Sequence, residues 1–196
     1  MIYDISQSLF ECNLFPGDSL PEKKILARLD DGGDCNLTGI SMCVHNGTHV
    51  DAPFHFLNDG KGIDQVALEK FIGPAYVVSH EGDVTSEDAQ RFINDARMIN
   101  PEAAKKLLIK GNATVTLEAA NVFADYELDL VGNESQTVGP LSSPREVHLT
   151  LLKKEIVLLE GLKMDGIKDG VYLLNCAPLN LKDTDGSPCR AVLMDL

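Results

Sequence analysis

Three of the five histidines in this 196-residue chain fall in one short run, His45-Asn46-Gly47-Thr48-His49-Val50-Asp51-Ala52-Pro53-Phe54-His55, with a carboxylate among them. Neutral imidazole and carboxylate are the ordinary ligands of Zn²⁺, Mn²⁺ and Fe²⁺, and a site with only three protein ligands leaves a position open for water. His45, His49 and Asp51 are therefore candidate metal ligands. A cation of this kind lowers the pKa of water towards about 7, which makes hydroxide available for attack on a carbonyl at neutral pH. The chemistry to expect is hydrolysis.

The backbone that carries these groups can be read locally. Histidines four apart would share one helical face. Gly47, the β-branched Thr48 and Val50, and Pro53 instead speak against a helix, and residues 37–44 read as a strand. Positions 45, 49, 51 and 55 have one parity, so an extended chain turns them to one side, with His49 and Asp51 roughly 6.6 Å apart. On an ideal strand His45 and His49 would be roughly 13 Å apart, so the chain must bend or bulge between them. Gly47 is the place for that bend. His55, beyond Pro53, is better placed to reach a water or a substrate than to complete the same coordination sphere, and its expected role is general acid/base.

The pattern His-x-Gly-Thr-His-x-Asp-x-Pro-x-His resembles the motif of the cyclase-like metal hydrolases, which include bacterial kynurenine formamidase and isatin hydrolase. Tyr3-Asp4-Ile5-Ser6, Pro16-Gly17-Asp18, and the stretch from Pro178-Leu179 to Pro188-Cys189-Arg190-Ala191-Val192-Leu193 resemble further landmarks of that family in the same order, so the likeness covers essentially the whole chain. It implies that His45, His49 and Asp51 hold one ion, that Asp51 can bridge to a second, and that His148 and Glu160 complete the second site. It also implies one or two Zn²⁺ (or Mn²⁺) ions per subunit and an α/β chain folded as a layered β/β/α single domain over 1–196. A homo-oligomer, dimer or tetramer, is implied too, in which a neighbour helps close the active site. The implied reaction is hydrolysis of a small amide, with an arylformamide as the default substrate and a cyclic imide or lactone as the nearest competitor. Two departures bear on the substrate. The chain has no Trp, leaving Phe10, Phe15, Phe54 and Phe56 to supply any aromatic wall, and Val131-Gly132-Asn133-Glu134-Ser135-Gln136 differs from the family's Gly-hydrophobic-Asp-x-x-Ser run.

His148 and Glu160 have a local account as well. Ser143-Pro144-Arg145-Glu146 reads as a capping box opening a helix that carries His148 one turn in. The apolar run Ile156, Val157, Leu158, Leu159 reads as a buried strand with Glu160 at its end. On the residues alone, a partly exposed helical histidine and a solvated turn glutamate are the better account of the two, and it is the resemblance that makes them ligands.

The elements around the motif are mixed. Strands are expected near 2–5, 37–50, 75–79, 106–110, 128–132, 156–160, 171–176 and 190–194. Thr85 or Ser86 opens a helix through Ala89, Phe92, Ile93 and Ala96, and Thr116 opens another through Leu117, Ala120 and Phe123. His80 has no evident partner and reads as a surface residue. Hydrophobic residues make up 44% of the chain, enough for one sizeable core. A formal charge of −13 disfavours nucleic acid or an anionic membrane as partner, and the partner to expect is a small-molecule substrate. No apolar run approaches bilayer length, no leader segment is evident, and five scattered cysteines lack a Cys-x-x-Cys pair; a cytoplasmic protein with reduced thiols is expected. Cys43 has the parity to face the site but reads as a small buried hydrophobe.

Two other classes compete. His49, Asp51 and His148 have the composition of a non-haem iron facial triad, which would leave His45 and His55 unexplained. A metal-binding protein without catalysis would keep the ligands, yet it has no use for the adjacent base His55.

Overall fold

The structure, a computed structural model, describes residues 1–196. In chain order the strands are β1 (Ile2–Asp4), β2 (Glu22–Ala27), β3 (Leu37–Ser41), β4 (His49–Asp51), β5 (Ile72–Ser79), β6 (Gly82–Val84), β7 (Lys106–Lys110), β8 (Ala113–Val115), β9 (Leu130–Asn133), β10 (Val157–Glu160), β11 (Gly170–Asn175), β12 (Gly186–Pro188) and β13 (Val192–Met194). The helices are α1 (Ser86–Ile99), α2 (Leu117–Asp125) and α3 (Arg145–Leu152). Nine strands form one sheet in the order β1-β13-β11-β5-β7-β9-β10-β4-β12. Its middle, β5-β7-β9-β10, is parallel, and the strands outside pair antiparallel.

Side chains alternate across this sheet, as strand geometry requires. On one face Tyr76, Val78, Leu107, Ile109, Val131 and Leu158 meet the apolar stripes of the three helices, Ala89, Phe92, Ile93 and Ala96 of α1 among them. On the other, Ala75, Val77, Leu108, Leu130, Val157 and Leu159 meet Val50 from one end of the sheet and Leu193 from the other. Residues so far apart in strand order share a cluster because the sheet curls back on itself. Ser6, just beyond β1, bridges to Leu162, just beyond β10, and the Lys163 amide donates to the Ile5 carbonyl. The layers are thus strand on strand on helix, the β/β/α arrangement that the resemblance implies. Burying a side chain such as Phe92 or Phe123, both fully covered, contributes about 2 kcal/mol each.

Helices α1 and α2 begin where their threonines place them. Thr85 Oγ1 accepts from the Asp88 amide at 3.1 Å while Asp88 Oδ2 accepts from the Thr85 amide at 3.2 Å, a capping box closed by Asp. Thr116 Oγ1 accepts from the Ala119 amide at 3.2 Å. The box expected at Ser143 does not form. Pro144 already has helical torsions, the Ser143 amide turns back to the Pro140 carbonyl, and the Pro144 carbonyl takes both the backbone amide and Nδ1 of His148.

The expected strand over 37–50 is two strands, β3 and β4, separated by a turn at 42–48, since Gly47 adopts φ +67 and ends any extended run. β2, β6, β8 and β12 were not expected: β2 is charged and exposed, and the others are three residues long. His80 is mostly covered, not a surface residue. Its ring packs edge-on against Phe92 and Nε2 donates to the Asp83 carbonyl at 3.1 Å.

Replacing Thr85 with Ala should cost about 1 kcal/mol by removing the cap. For a chain of this size that is a fall of roughly 2–4 °C in Tm, while Ser86→Ala, one position on, should leave the melt unchanged.

Candidate metal centre

β4 shows how three residues aim two chemical groups at one place. Val50 is fully buried in the cluster between the strand layers, so His49 and Asp51, its neighbours in the strand, point to the helix side. β10 does the same: Leu159 packs inward, leaving Leu158 and Glu160 on the helix side. Antiparallel pairing of the two strands sets Glu160 opposite His49, and α3 lays His148 across the pair. The centre lies beyond the carboxyl end of β10, where α/β sheets commonly bind their ligands.

The polar atoms converge. His49 Nε2 lies 3.4 Å from Asp51 Oδ1 and 3.4 Å from Glu160 Oε2. His148 Nε2 lies 3.1 Å from Glu160 Oε1 and 3.6 Å from Asp51 Oδ2. His45 Nδ1 lies 2.9 Å from Asp51 Oδ1. Two sets of donor atoms each fall within 4.8 Å of one another, His45/Asp51/His55 and His49/Asp51/Glu160, with Asp51 common to both. The five residues that sequence singled out as ligands are therefore brought together. His49 sits between both carboxylates.

Each imidazole is also held from behind. His49 Nδ1 faces the Gly47 carbonyl at 2.9 Å and His148 Nδ1 the Pro144 carbonyl at 2.9 Å. A carbonyl only accepts, so both Nδ1 atoms carry a proton and both Nε2 atoms are turned to the carboxylates; a carbonyl on Nδ1 is the usual outer partner of a metal-bound histidine. The bend predicted at Gly47 brings the His45 and His49 ring centroids to 5.0 Å. Gly161 at the end of β10 packs so closely beneath this turn that a Cβ there would overlap the Gly47 carbonyl oxygen.

The electrostatics follow from burial. Burial penalises the charged imidazoles, yet the carboxylate neighbours outweigh it: Asp51 and Asp185 push His45 up to about 11, and Asp51 with Glu160 pushes His49 up to about 9. His148 is raised by Glu160 and Asp51 against the same penalty. Burial would raise Asp51, but His45 and His49 hold it well below the usual carboxylate range; Glu160 is lowered by His148 and His49 against burial and the charge of Asp51. One carboxylate oxygen of the cluster stays unbalanced. Asp51 Oδ2 is buried and has no hydrogen-bond donor, a state that costs an anionic oxygen well over about 1–3 kcal/mol unless a cation meets it. The nitrogen and oxygen donors around that oxygen fit a divalent metal ion, and their type suits Zn²⁺, Mn²⁺ and Fe²⁺ alike.

His55 differs from the others. Pro53–His55 forms a single 3₁₀ turn that folds its ring back to 4.1 Å from the His45 ring, and its side chain keeps 28% of its surface exposed where His49 keeps 1%. A cavity of ≈ 240 Å³ opens over the cluster, bounded by the imidazoles, Glu160, Phe15, Asp18, Phe56, Gln136, Thr137 and Pro144. Phe15 and Phe56 thus provide aromatic wall, whereas Phe10 lies under Lys23 and Phe54 faces solvent. The Thr137 hydroxyl is buried without a partner. Cys43 lines the outer surface with Ser41 and Met42 and does not reach the cluster.

Sequence reading did not find Asp185. Its Oδ2 lies 2.8 Å from His45 Nε2 and 3.1 Å from His55 Nδ1, and these two rings hold its carboxyl far below the usual range. The only local signal was an acid within Asp185-Gly186-Ser187-Pro188, which reads as a turn.

The Cyclase family model matches residues 3–157. The kynurenine formamidase of Bacillus cytotoxicus is 32% identical, the alignment covering 98% of this chain and 97% of the relative, and that of Bacillus anthracis is 31% identical over 97% and 95%. Among solved structures, isatin hydrolase A from Labrenzia aggregata superposes with a TM-score of 0.82 at 21% identity, covering 100% of this chain and 93% of that one. A structure described as "Potential Metal-Dependent Hydrolase With Cyclase Activity" superposes at 0.81 and 22%, covering 98% and 96%. The class is a hydrolase. The chain belongs to the cyclase family.

A methyl group at Gly186 would come within 2.8 Å of His45 Cε1 and 2.8 Å of the Val50 carbonyl oxygen, which the sheet fixes. Gly186→Ala should therefore displace His45 and weaken metal binding by about 10–100-fold with the circular dichroism spectrum unchanged. Unaltered affinity in a metal titration would remove His45 from the ligands.

Proposed function

We propose that this protein is a metal-dependent hydrolase of a small aryl amide, an arylformamidase acting on substrates of the N-formylkynurenine type. His45, His49, Asp51, His148 and Glu160 would hold one or two Zn²⁺ or Mn²⁺ ions, Asp51 being shared, and His55 would be the acid/base. The observation that carries this reading is the contrast inside one cluster: buried donors converge on Asp51, whose Oδ2 lacks any other partner, while His55 is the most exposed of the rings that line the cavity. Whole-length similarity to two kynurenine formamidases supports the substrate class.

When bound, a divalent cation supplies acidified water and a polarised carbonyl. The chain's own residues do the rest. Phe15 and Phe56 flank a cavity that is small beside the roughly 300–1,000 Å³ of drug-sized sites, so it suits one aryl ring or the reacting end of a larger molecule. Thr137, whose buried hydroxyl has no partner, lies in the wall of that cavity. His55 Nε2, the nitrogen turned away from Asp185, takes a proton during attack and returns it to the departing nitrogen. Amide nitrogen leaves poorly without that proton, so this step should dominate the rate.

A homo-oligomer accompanies this reading. The β2–β3 ribbon stands apart from the main sheet and exposes Ile25, Leu26, Leu37 and Ile40, an apolar surface that a second copy would cover. The five unpaired cysteines support a reducing compartment, the cytoplasm. No helix is long and apolar enough to cross a membrane.

His55→Ala should lower kcat on an aryl formamide by about 10²–10⁴-fold while elemental analysis finds the metal content intact; loss of metal would make His55 a ligand. Turnover of formanilides and N-formylkynurenine, measured beside isatin and simple lactones, tests the substrate class. Hydrolysis confined to the ring compounds would move the assignment to a cyclic amide or lactone hydrolase, and none at all would favour metal binding without catalysis.

A further inference from the structure

We propose that Asp185 is a positioning residue that serves two histidines with one oxygen: Oδ2 receives a ring N–H from His45 and another from His55, and so dictates which nitrogen each presents to the site. This rests on the reading above, in which His45 is a ligand and His55 the acid/base.

An ionised carboxylate only accepts, so the nitrogens that contact it, His45 Nε2 at 2.8 Å and His55 Nδ1 at 3.1 Å, both carry protons. With an ion in place of the proton that His45 Nδ1 otherwise shares with Asp51, the consequence would be opposite tautomers imposed by a single atom. His45 is left with Nδ1 directed at Asp51, the ligand set, and His55 with Nε2 as its free nitrogen, above the cavity. The two rings lie 4.1 Å apart at 35°, near enough for one oxygen to meet both edges.

Asp185 itself is not part of the cavity wall. It approaches from the outer side, 41% of its side chain in solvent, and its backbone is fixed there. The Ala52 amide donates to the Asp185 carbonyl at 2.9 Å, Gly186 pairs with Asp51 across β12 and β4, and the Ile63 amide donates to the Thr184 carbonyl at 2.9 Å. The strand that carries Asp51 therefore also sets the place of Asp185. Gly186 is the necessary neighbour, since the His45 ring occupies the space its side chain would need. A surface carboxylate that merely paired with a cation would require none of this: neither the fixed loop, nor the missing side chain beside it, nor two partners on one oxygen.

The test uses the zinc-loaded full-length protein with ¹⁵N-labelled histidine. Nitrogen NMR should assign the proton of His45 to Nε2 and that of His55 to Nδ1. A proton on Nε2 of His55 overturns the proposal without any variant. Asp185→Ala removes the oxygen that accepts both N–H groups; it should lower kcat by about 10–100-fold with KM changed less than about twofold, and weaken zinc binding by about tenfold. A merely structural Asp185 would instead lower Tm while kcat and zinc affinity stay within about twofold of the unsubstituted protein, and that result also overturns it. Should the unsubstituted protein hydrolyse no formamide, the proposed reaction fails, while the nitrogen spectrum and zinc affinity still decide the role of Asp185.

Discussion

Two buried carboxylates, Asp51 and Glu160, set the terms for everything around them. Their charges disfavour one another and burial disfavours both; the surrounding imidazoles outweigh this and hold both ionised, yet leave one oxygen of Asp51 without a donor. A fold optimised for stability alone would place apolar groups there. Keeping two acids at the centre, with His45, His49 and His148 around them, is the signature of a site whose stability is completed by a cation.

The strand layers make this arrangement possible. β4 is three residues long, and it is held on one edge by β10 and on the other by β12. One edge delivers Glu160, the other delivers Asp185, and the strand itself supplies His49 and Asp51. The motif's compactness in sequence therefore covers only half of the site. The other half arrives through pairings more than a hundred residues distant, and the parallel strands β5, β7, β9 and β10 fix where those pairings fall.

Much of this was legible beforehand, for identifiable reasons. The metal-ligand types stand close together on either side of a glycine and ahead of a proline, so the bend at Gly47 and the grouping of His45, His49 and Asp51 follow from strand geometry. Helices α1 and α2 carry a threonine cap and an apolar stripe, and β5, β7 and β10 carry apolar runs. What stayed hidden depends on non-local pairing. β12 consists of Gly186-Ser187-Pro188, which has turn chemistry and becomes a strand only because β4 lies beside it, and Asp185 inherits its role from that pairing. The capping box read at Ser143 failed because Pro144 took helical torsions itself and its carbonyl was claimed by His148. The bend at Gly47 was legible, but not that it ends the pairing altogether from 42 to 48, because Val44 and Thr48 suit a strand on either side of it.

Membership in the cyclase family and the geometry of the cluster meet at one physical statement, that Asp51 and its neighbours bind a divalent ion. Elemental analysis of the purified protein and of Asp51→Asn, after dialysis against Zn²⁺ or Mn²⁺ and then against metal-free buffer, tests it most directly. The unsubstituted protein should retain at least about one ion per chain and the variant none, because losing the shared carboxylate dismantles both donor sets. An unsubstituted protein that emerges free of metal, or a variant that holds as much, would contradict the account.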